Sequence, residues 1–284
     1  MHSFENASTS ISDGKLPKVS IVTISYNQAD FLTDALRSVI GQDYPQIEYI
    51  VLDPGSTDGS REIIEQYRPR ISTVIFEPDR GPADGLNKGF LHATGEVFGF
   101  LNSDDILYPG AVSAAAKVLA ERPDVDVVSG HAKVIGPDGR VLRLAFSDRM
   151  SVAGYLYGAV AMIQPSTFFR REAYLRAGGF NTGNRASWDG ELFLTMAANG
   201  ARFATSDNIW SGYRLHNQSI TSSRKLDSVA SQVHEGLFLR MMGRRPNRLD
   251  MLISRALKTW KHVINPRDTC ERLLRGPIYG RRVE

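Results

Sequence analysis

The 284-residue sequence contains one cysteine, Cys270, and no long hydrophobic run. One cysteine cannot form an internal disulfide or a thiolate metal site, which fits a reducing compartment. No segment approaches the roughly 20 apolar residues that cross a bilayer. The first 14 residues also lack the basic start and apolar stretch of a secretory signal. We therefore expect a cytoplasmic protein, with attachment to the inner face of the membrane left open, and predict that residues 1–15 form a disordered lead-in.

Charge is distributed unevenly along the chain. The formal net charge is +3, but residues 240–284 hold 12 Lys+Arg against 4 Asp+Glu, so this tail carries +8 and the rest carries −5. A basic tail suggests an anionic partner. Residues 249–264 have the spacing of an amphipathic helix, which could lie on anionic lipid or pack its apolar side on the body. Peripheral membrane contact through 249–284 and packing both stay open, and we expect no nucleic-acid partner.

Short β-branched runs alternate with amphipathic segments in the first half of the chain. Strands are predicted at 18–25, 47–52, 71–76 and 97–101, and helices at 28–42, 60–67, 82–93 and 109–121. This alternation is typical of an α/β fold with a mostly parallel sheet and helices on both faces. A turn at 137–139 predicts a hairpin within 125–144. Further helices are predicted at 191–199 and 249–264.

Polar and acidic side chains follow the predicted strands, where ligands of parallel sheets bind. They are Ser25, Tyr26 and Asn27 after the first strand, Asp53 after the second, Asp79 and Arg80 after the third, and Asp104 and Asp105 after the fourth. Adjacent carboxylates repel each other unless a cation or hydrogen-bond donors compensate. Mg²⁺ or Mn²⁺ would do so and would offset the charge of a departing diphosphate, whereas the structural alternative is a solvated turn or a helix cap.

Asp53, Arg80 and Lys88 are candidates for contacts with a nucleotide. Asp53 at its strand end can accept hydrogen bonds from a base N–H or a ribose hydroxyl. Arg80 and Lys88 could address phosphates, Arg as a planar fork and Lys as a point charge. Lys88 lies on a predicted helix, so it could equally face water.

Five segments of the first half match a known family in order and in spacing. They are VSIVTISYN, IEYIVLD followed by GSTDGS, EPDRGPADGLNKGF, ATGEVFGFLNSDD and LYPGA. Together they resemble the nucleotide-binding half of a family 2 glycosyltransferase with the GT-A fold. The resemblance implies that Asp53 and Asp79 bind the nucleoside, that Asp104 lies near the ribose or a metal, and that Asp105 holds the metal.

The second half resembles the same family more loosely. The segment from Gln164 to Arg170 (QPSTFFR) resembles its acceptor side, and the segment 213–216 (YRLH) resembles a late motif whose His216 joins the metal or the diphosphate. The segment 188–193 (WDGELF) falls where relatives carry the general base, which implies Asp189. Glu191 is the alternative base, because Gly190 and Glu191 replace the commoner aromatic–Asp pair. Trp188 either stacks on a sugar ring or packs in the core.

The resemblance implies an inverting, metal-dependent glycosyltransferase domain over 16–224, divided into 16–120 and 121–224. The charge of the tail and its predicted helix indicate a basic helical extension over 225–284. We expect transfer from a nucleotide-sugar, UDP-sugar first, to a glycan or lipid-linked saccharide in surface-polysaccharide synthesis. One alternative is a nucleotidyltransferase, which would need a glycine-rich basic loop where this chain has Ser25, Tyr26 and Asn27. The other is a non-catalytic membrane-associated binding protein.

Overall fold

The computed structural model describes residues 16–217, 227–276 and 278. The predicted lead-in at 1–15 and part of the basic extension lie outside these residues. The described strands are β1 (Val19–Ile24), β2 (Ile47–Leu52), β3 (Thr73–Ile75), β4 (Val97–Asn102), β5 (Ile106–Leu107), β6 (Val127–Ile135), β7 (Val141–Ala145), β8 (Thr167–Arg170) and β9 (Phe203–Arg214). The described helices are α1 (Ala29–Ile40), α2 (Ser60–Tyr67), α3 (Pro82–Leu91), α4 (Ala111–Glu121), α5 (Val152–Leu156), α6 (Arg171–Ala177), α7 (Trp188–Ala198), α8 (Asp227–Met242), α9 (Arg248–Ile264) and α10 (Pro266–Arg275).

All of these strands belong to one mixed sheet. Its order is β3-β2-β1-β4-β8-β6-β9-β5, with β7 paired to β6. The pairs among β3, β2, β1 and β4 are parallel, whereas β8 runs antiparallel to both β4 and β6. Ile24 is in register with both Leu52 and Asn102, so β1, β2 and β4 end at the same level. The residues that follow these strands therefore meet at one edge of the sheet.

Helices cover both faces of the sheet, as the sequence predicts. Val19 and Ile21 of β1 point to the face packed by α1, α2 and α4, and Val22 points to the face packed by α3, α6 and α7. Both faces are apolar because successive strand residues point in opposite directions and the inner strands are buried on each side. The alternation of predicted strands and helices in the first half therefore predicted correctly that helices cover both faces of the sheet.

Element boundaries differ from the predictions where local backbone geometry intervenes. Strand β3 covers only Thr73–Ile75 of the predicted 71–76, and a 3₁₀ turn over Arg68–Arg70 precedes it. Helix α4 begins at Ala111, two residues late, because Gly110 takes the left-handed conformation with φ 82°. Strands β6 and β7 pair antiparallel, which confirms the predicted hairpin.

Helices α8, α9 and α10 follow the sheet and form the described part of the basic extension. Helix α9 begins with a capping box, in which the Asn247 side chain accepts from the backbone N–H of Asp250 and Asp250 accepts in return. Among the residues described, the structure contains no helix both long and apolar enough to cross a membrane.

Candidate active site

A cavity of about 880 Å³ opens where the parallel strands end. It is lined from both halves of the chain. The predicted site residues on its wall are Ser25, Tyr26, Asn27, Asp79, Asp104, Asp105, Gln164, Trp188 and Asp189. Arg214, Asn102 and Ser103 also line it, although the sequence did not single them out. The predicted residues Asp53, Arg80, Lys88, Glu191 and His216 are not on this wall.

The loop after β1 is tied to the loop after β2. Asn27 has a positive φ of 50°, which brings its backbone N–H within 2.8 Å of Ser56 Oγ. Its side-chain oxygen accepts from the N–H of Thr57 at 2.9 Å. Ser25 is buried beside it, and its hydroxyl has no hydrogen-bond partner among the residues described. This fixed loop leaves Tyr26 exposed at the mouth of the cavity.

The carboxylate of Asp53 forms hydrogen bonds within its own loop. Its side chain is 0% exposed. Its Oδ1 accepts from the N–H groups of Gly55 and Ser56 at 3.0 and 2.8 Å, and Arg61 Nε approaches the same oxygen at 3.0 Å. Oδ2 accepts from the Ser56 hydroxyl at 2.5 Å. These bonds show that Asp53 holds the loop that lines the cavity, and its predicted contact with a nucleoside stays a prediction.

Asp79 faces the cavity at the start of α3. Its Oδ1 accepts from the N–H of Gly81 at 2.8 Å. The absence of a side chain at Gly85 makes room for Oδ2, because a Cβ there would lie 2.7 Å from that oxygen. Burial, reinforced by the nearby charges of Asp84 and Asp53, raises the pKa of Asp79. A raised pKa marks a carboxylate that a hydrogen-bond donor from a ligand would stabilise.

Arg80 and Lys88 contact groups near the start of α3. The Arg80 side chain is 76% exposed and pairs with Asp84 at 3.1 Å, one helical turn along. Lys88 donates to the carbonyl of Pro78 and lies 3.8 Å from Asp84. Both side chains are thus paired with groups at the N-terminal end of α3. This placement gives no support to the predicted phosphate contacts, which stay a prediction.

The adjacent carboxylates after β4 occupy different environments. Asp105 is 1% exposed, and its Oδ1 accepts from the backbone N–H of Arg214 at 2.8 Å. Its Oδ2 is buried and has no hydrogen-bond partner among the residues described. Burial and the neighbouring Asp104 raise the pKa of Asp105 well above its ordinary range. An unpartnered carboxylate oxygen of this kind is costly unless a proton or cation compensates it.

Asp104 meets the histidine that the sequence assigned to the metal. His216 Nε2 lies 3.0 Å from Asp104 Oδ2, and the His216 ring packs 4.6 Å from Phe31. This contact makes Asp104 the direct partner of His216. Asp105, whose Oδ1 accepts from the backbone N–H of Arg214, also lines the cavity, so its contact with a metal stays a prediction.

Arg214 holds this corner of the site together. Its guanidinium donates to the carbonyls of Asp104 and Pro137 at 2.8 and 2.9 Å and to Asp34 at 3.1 Å. It is almost fully buried and stacks 5.0 Å from the centre of the Phe31 ring. The sequence signal that could have found it was its place beside His216, in the motif that supplied the predicted histidine.

The two candidate bases, Asp189 and Glu191, lie in different surroundings. Asp189 lies at the first turn of α7, lines the cavity, and has a pKa raised chiefly by burial. Glu191 is buried away from the cavity, where it accepts from the side chains of Asn181, Asn184 and Arg240 at 3.1, 2.8 and 2.8 Å. The geometry therefore corrects the alternative: Glu191 anchors α8 and the loop before α7, and of the two carboxylates only Asp189 faces the cavity.

The acceptor-side residues are fixed by packing and hydrogen bonds. Gln164 donates to the carbonyl of Phe100 at 2.8 Å and accepts from Asn102 at 3.1 Å. Trp188 is largely buried against Phe100 and Phe180, with ring centroids 5.6 and 5.4 Å away. Trp188 is thus a packed residue that also lines the cavity, and its stacking on a sugar ring stays a prediction.

The protein side chains alone do not build a closed metal site. Within the described residues, no group of three or more His, Cys, Asp or Glu side chains is arranged to hold a metal ion. Mg²⁺ characteristically takes one or two carboxylates and completes its shell with substrate phosphates and water. The Asp104–His216 pair and the unpartnered Oδ2 of Asp105 fit a cation of that kind.

Comparison with known proteins identifies the family of the chain. The family described as Glycosyl transferase family 2 matches residues 20–188, more than half of the chain. An uncharacterized glycosyltransferase of Mycobacterium tuberculosis is 30% identical over 64% of this chain and 69% of its own length. TuaG of Bacillus subtilis, named for teichuronic acid biosynthesis, is 35% identical over 44% of this chain. The match spans 51% of TuaG and 39% of a Nostoc relative, so the chain covers only part of these proteins.

Solved structures share the fold at lower identity. The mannosyltransferase PcManGT of Pyrobaculum calidifontis, in complex with GDP-Man and Mn²⁺, has a TM-score of 0.64 at 24% identity. This match covers 93% of this chain and 77% of that one. S. aureus TarS 1–349, in complex with UDP-GlcNAc, has a TM-score of 0.62 at 19% identity, covering 90% of this chain and 74% of that one. At these identities the likeness establishes the GT-A fold.

Proposed function

Because the chain belongs to glycosyltransferase family 2, we propose that it is a metal-dependent, inverting enzyme that takes its sugar from a nucleotide-sugar bound in the cavity after β1 and β4. The observation that carries the proposal is the convergence of Asp79, Asp104 and Asp189 on that one cavity. These carboxylates come from three separate segments, and a packed core would not gather them. Family membership favours sugar transfer over the nucleotidyltransferase and the non-catalytic binding protein.

The nucleotide would lie between the loop after β1 and the start of α3. Asp79 is placed to accept from a base N–H, because it lines the cavity and its carboxylate is oriented by the hydrogen bond from the Gly81 N–H to Oδ1. The loop of Pro54 and Gly55, shaped by Asp53, lines the same side. UDP is our first choice of carrier and GDP the second, since TarS and PcManGT are described with UDP-GlcNAc and GDP-Man respectively.

We assign the divalent ion, Mn²⁺ or Mg²⁺, to Asp104 and His216. When bound, such an ion supplies positive charge to the diphosphate and so eases its departure. Arg214 keeps Asp104 in place through the carbonyl of that residue, and its buried guanidinium adds positive charge at this corner. The description of PcManGT with Mn²⁺ supports a divalent metal in this fold.

Asp189 would act as the general base. Its raised pKa brings it closer to neutral pH than an exposed aspartate, which improves proton transfer from an acceptor hydroxyl. As the proton moves to Asp189, the acceptor oxygen attacks the anomeric carbon and the bond to the nucleotide diphosphate breaks. One displacement of this kind inverts the anomeric centre.

The acceptor is proposed to be a glycan or lipid-linked saccharide of a surface-polysaccharide pathway. The support is the similarity to TuaG, which is named for teichuronic acid biosynthesis. Gln164 and Trp188 line the side of the cavity from which such an acceptor would approach. The cytoplasmic location stays a prediction from the lone cysteine.

The test is a product assay with UDP- and GDP-sugars, each in Mn²⁺, Mg²⁺ or EDTA. We expect sugar release or transfer from one carrier, dependent on the metal. Asp104→Ala should abolish the metal-dependent activity, whereas Asp105→Asn, as the matched variant, should retain part of it. Full activity in EDTA would contradict the metal assignment, and full activity in Asp104→Ala with loss in Asp105→Asn would return the ion to Asp105.

A further inference from the structure

Helix α9 docks on the body through a mainly polar stripe. Asp250 accepts from the Tyr157 hydroxyl at 2.9 Å, and Ser254 donates to the Tyr157 carbonyl at 2.8 Å. About two turns further, Lys261 pairs with Asp148 at 2.7 Å, and Leu257 is the apolar member of the stripe. A surface helix ordinarily buries its apolar side and leaves its polar side in water. Helix α9 does the reverse.

The apolar side of α9 is consequently exposed. Its members recur at helical spacing and share one face. They are Leu249, Leu252, Ile253, Ala256, Trp260, Val263 and Ile264. Apart from Ala256, which is also exposed, their side chains are 41–66% exposed. A continuous stripe of large apolar side chains indicates an interaction surface rather than scattered surface residues.

Positive charge flanks this stripe. Arg248 and Arg255 are exposed on one border of it, and neither forms an ion pair with any residue in the described part of the chain. Residues 240–284 as a whole carry 12 Lys+Arg against 4 Asp+Glu. Arginine beside leucine, isoleucine and tryptophan on one face of a helix is the pattern of interfacial membrane helices.

We propose that α9 lies on an anionic lipid bilayer, with its apolar stripe in the interface and its arginines at the headgroups. A second copy of this chain is the less suitable occupant, because a two-fold interface would set the same basic surface against itself. The bilayer instead offers apolar chains and compensating negative charge together. This surface adjoins residues 121–224, since α9 rests on Tyr157, directly after α5, and Tyr155 of α5 packs against Gly190 beside the proposed base.

The sequence provides its own reporter for this contact. Trp188 and Trp210 are buried, whereas Trp260 is 60% exposed at the middle of the stripe. Mixing the full chain with phosphatidylcholine vesicles containing phosphatidylglycerol should shift Trp260 emission to shorter wavelength and float the protein with the vesicles. Pure phosphatidylcholine vesicles should bind much less. Trp260→Phe should lose the spectral shift and retain flotation.

Two pairs of variants test the two parts of the surface. Leu252→Glu with Val263→Glu should lower vesicle binding at least tenfold, while Leu91→Glu, at an equally exposed leucine on α3, should not. Arg248→Ala with Arg255→Ala should lower binding to the anionic vesicles by about fivefold per arginine. Their matched control is Arg70→Ala with Arg140→Ala, since both are exposed elsewhere.

Three results would overturn the proposal. The first is absence of flotation with anionic vesicles. The second is undiminished flotation of the Leu252→Glu, Val263→Glu variant. The third, measured by light scattering without lipid, is a dimer that the same variant converts to monomer, which would assign the stripe to a second copy. None of these results depends on the donor site, because binding is measured without nucleotide.

Discussion

Substitution of Gly85 by alanine would test the role of Asp79 with a single methyl group. A Cβ on Gly85 would lie 2.7 Å from Asp79 Oδ2 and 3.4 Å from the side chains of Ile24 and Leu52. The apolar contacts are tolerable, but the contact with the carboxylate oxygen is not. Because Oδ2 ends a flexible side chain, the carboxylate can rotate away while the backbone stays in place.

The expected effects on binding and stability are opposite in sign. A hydrogen bond to a charged group is worth about 1.5–3 kcal/mol, so losing the one from the base to Asp79 should weaken nucleotide binding about 10- to 150-fold. Replacing glycine by alanine inside a helix favours folding by up to about 1 kcal/mol. The Gly85→Ala protein should therefore be at least as stable as wild type and bind nucleotide poorly.

The assay is equilibrium dialysis of labelled UDP or GDP in Mn²⁺, together with thermal unfolding. Gly89→Ala on the same helix is the matched control, because its Cβ would meet Val22 Cγ1 at 2.4 Å in the core. That variant should lose about 1–3 kcal/mol of stability and keep its nucleotide affinity. Unchanged affinity in a stable Gly85→Ala protein would refute the role proposed for Asp79.

Further predictions concern the two candidate bases. Asp189→Asn should lower kcat by about 10²- to 10⁴-fold and leave nucleotide affinity unchanged, as single-turnover kinetics and dialysis can establish. Because burial raises the pKa of Asp189 and the base must be ionised, kcat should fall as pH decreases through that raised pKa, at a higher pH than for an exposed aspartate. A pH profile of the wild-type enzyme measures this, and a kcat constant down to pH 4 would contradict it. Glu191→Gln should cost about 2 kcal/mol in urea unfolding, through its lost pairing with Arg240, without the kcat loss of Asp189→Asn.

The fold and the location of the site were predictable because both follow from order along the chain. Parallel strands that end in register carry Asp79 and Asp104 to one edge, whichever helices intervene. Asp189 was found by resemblance, and its placement at the first turn of α7 puts it on the same cavity. These inferences need only the direction of the strands and the identity of the residues that follow them.

The orientation of individual side chains was not predictable in this way. Asp53 turns inward because two loop N–H groups and Arg61 satisfy it, and none of these partners is visible as a motif. Glu191 is held partly by a hydrogen bond from Arg240, which lies far along the chain. Helix α9 was recognised as amphipathic, but periodicity alone does not say which side meets the body. The side of α9 that faces the body is fixed by contacts of its polar stripe with Tyr157 and Asp148.

The central claim is that Asp104 and His216 seat a divalent ion against the diphosphate of the donor. Calorimetric titration of UDP and of GDP into the wild-type and Asp104→Ala proteins, in Mn²⁺ and in EDTA, tests it most directly. We predict that one nucleotide binds the wild-type protein in Mn²⁺, and that either the chelator or the substitution weakens this binding at least tenfold. Equal affinity in all four conditions would contradict it.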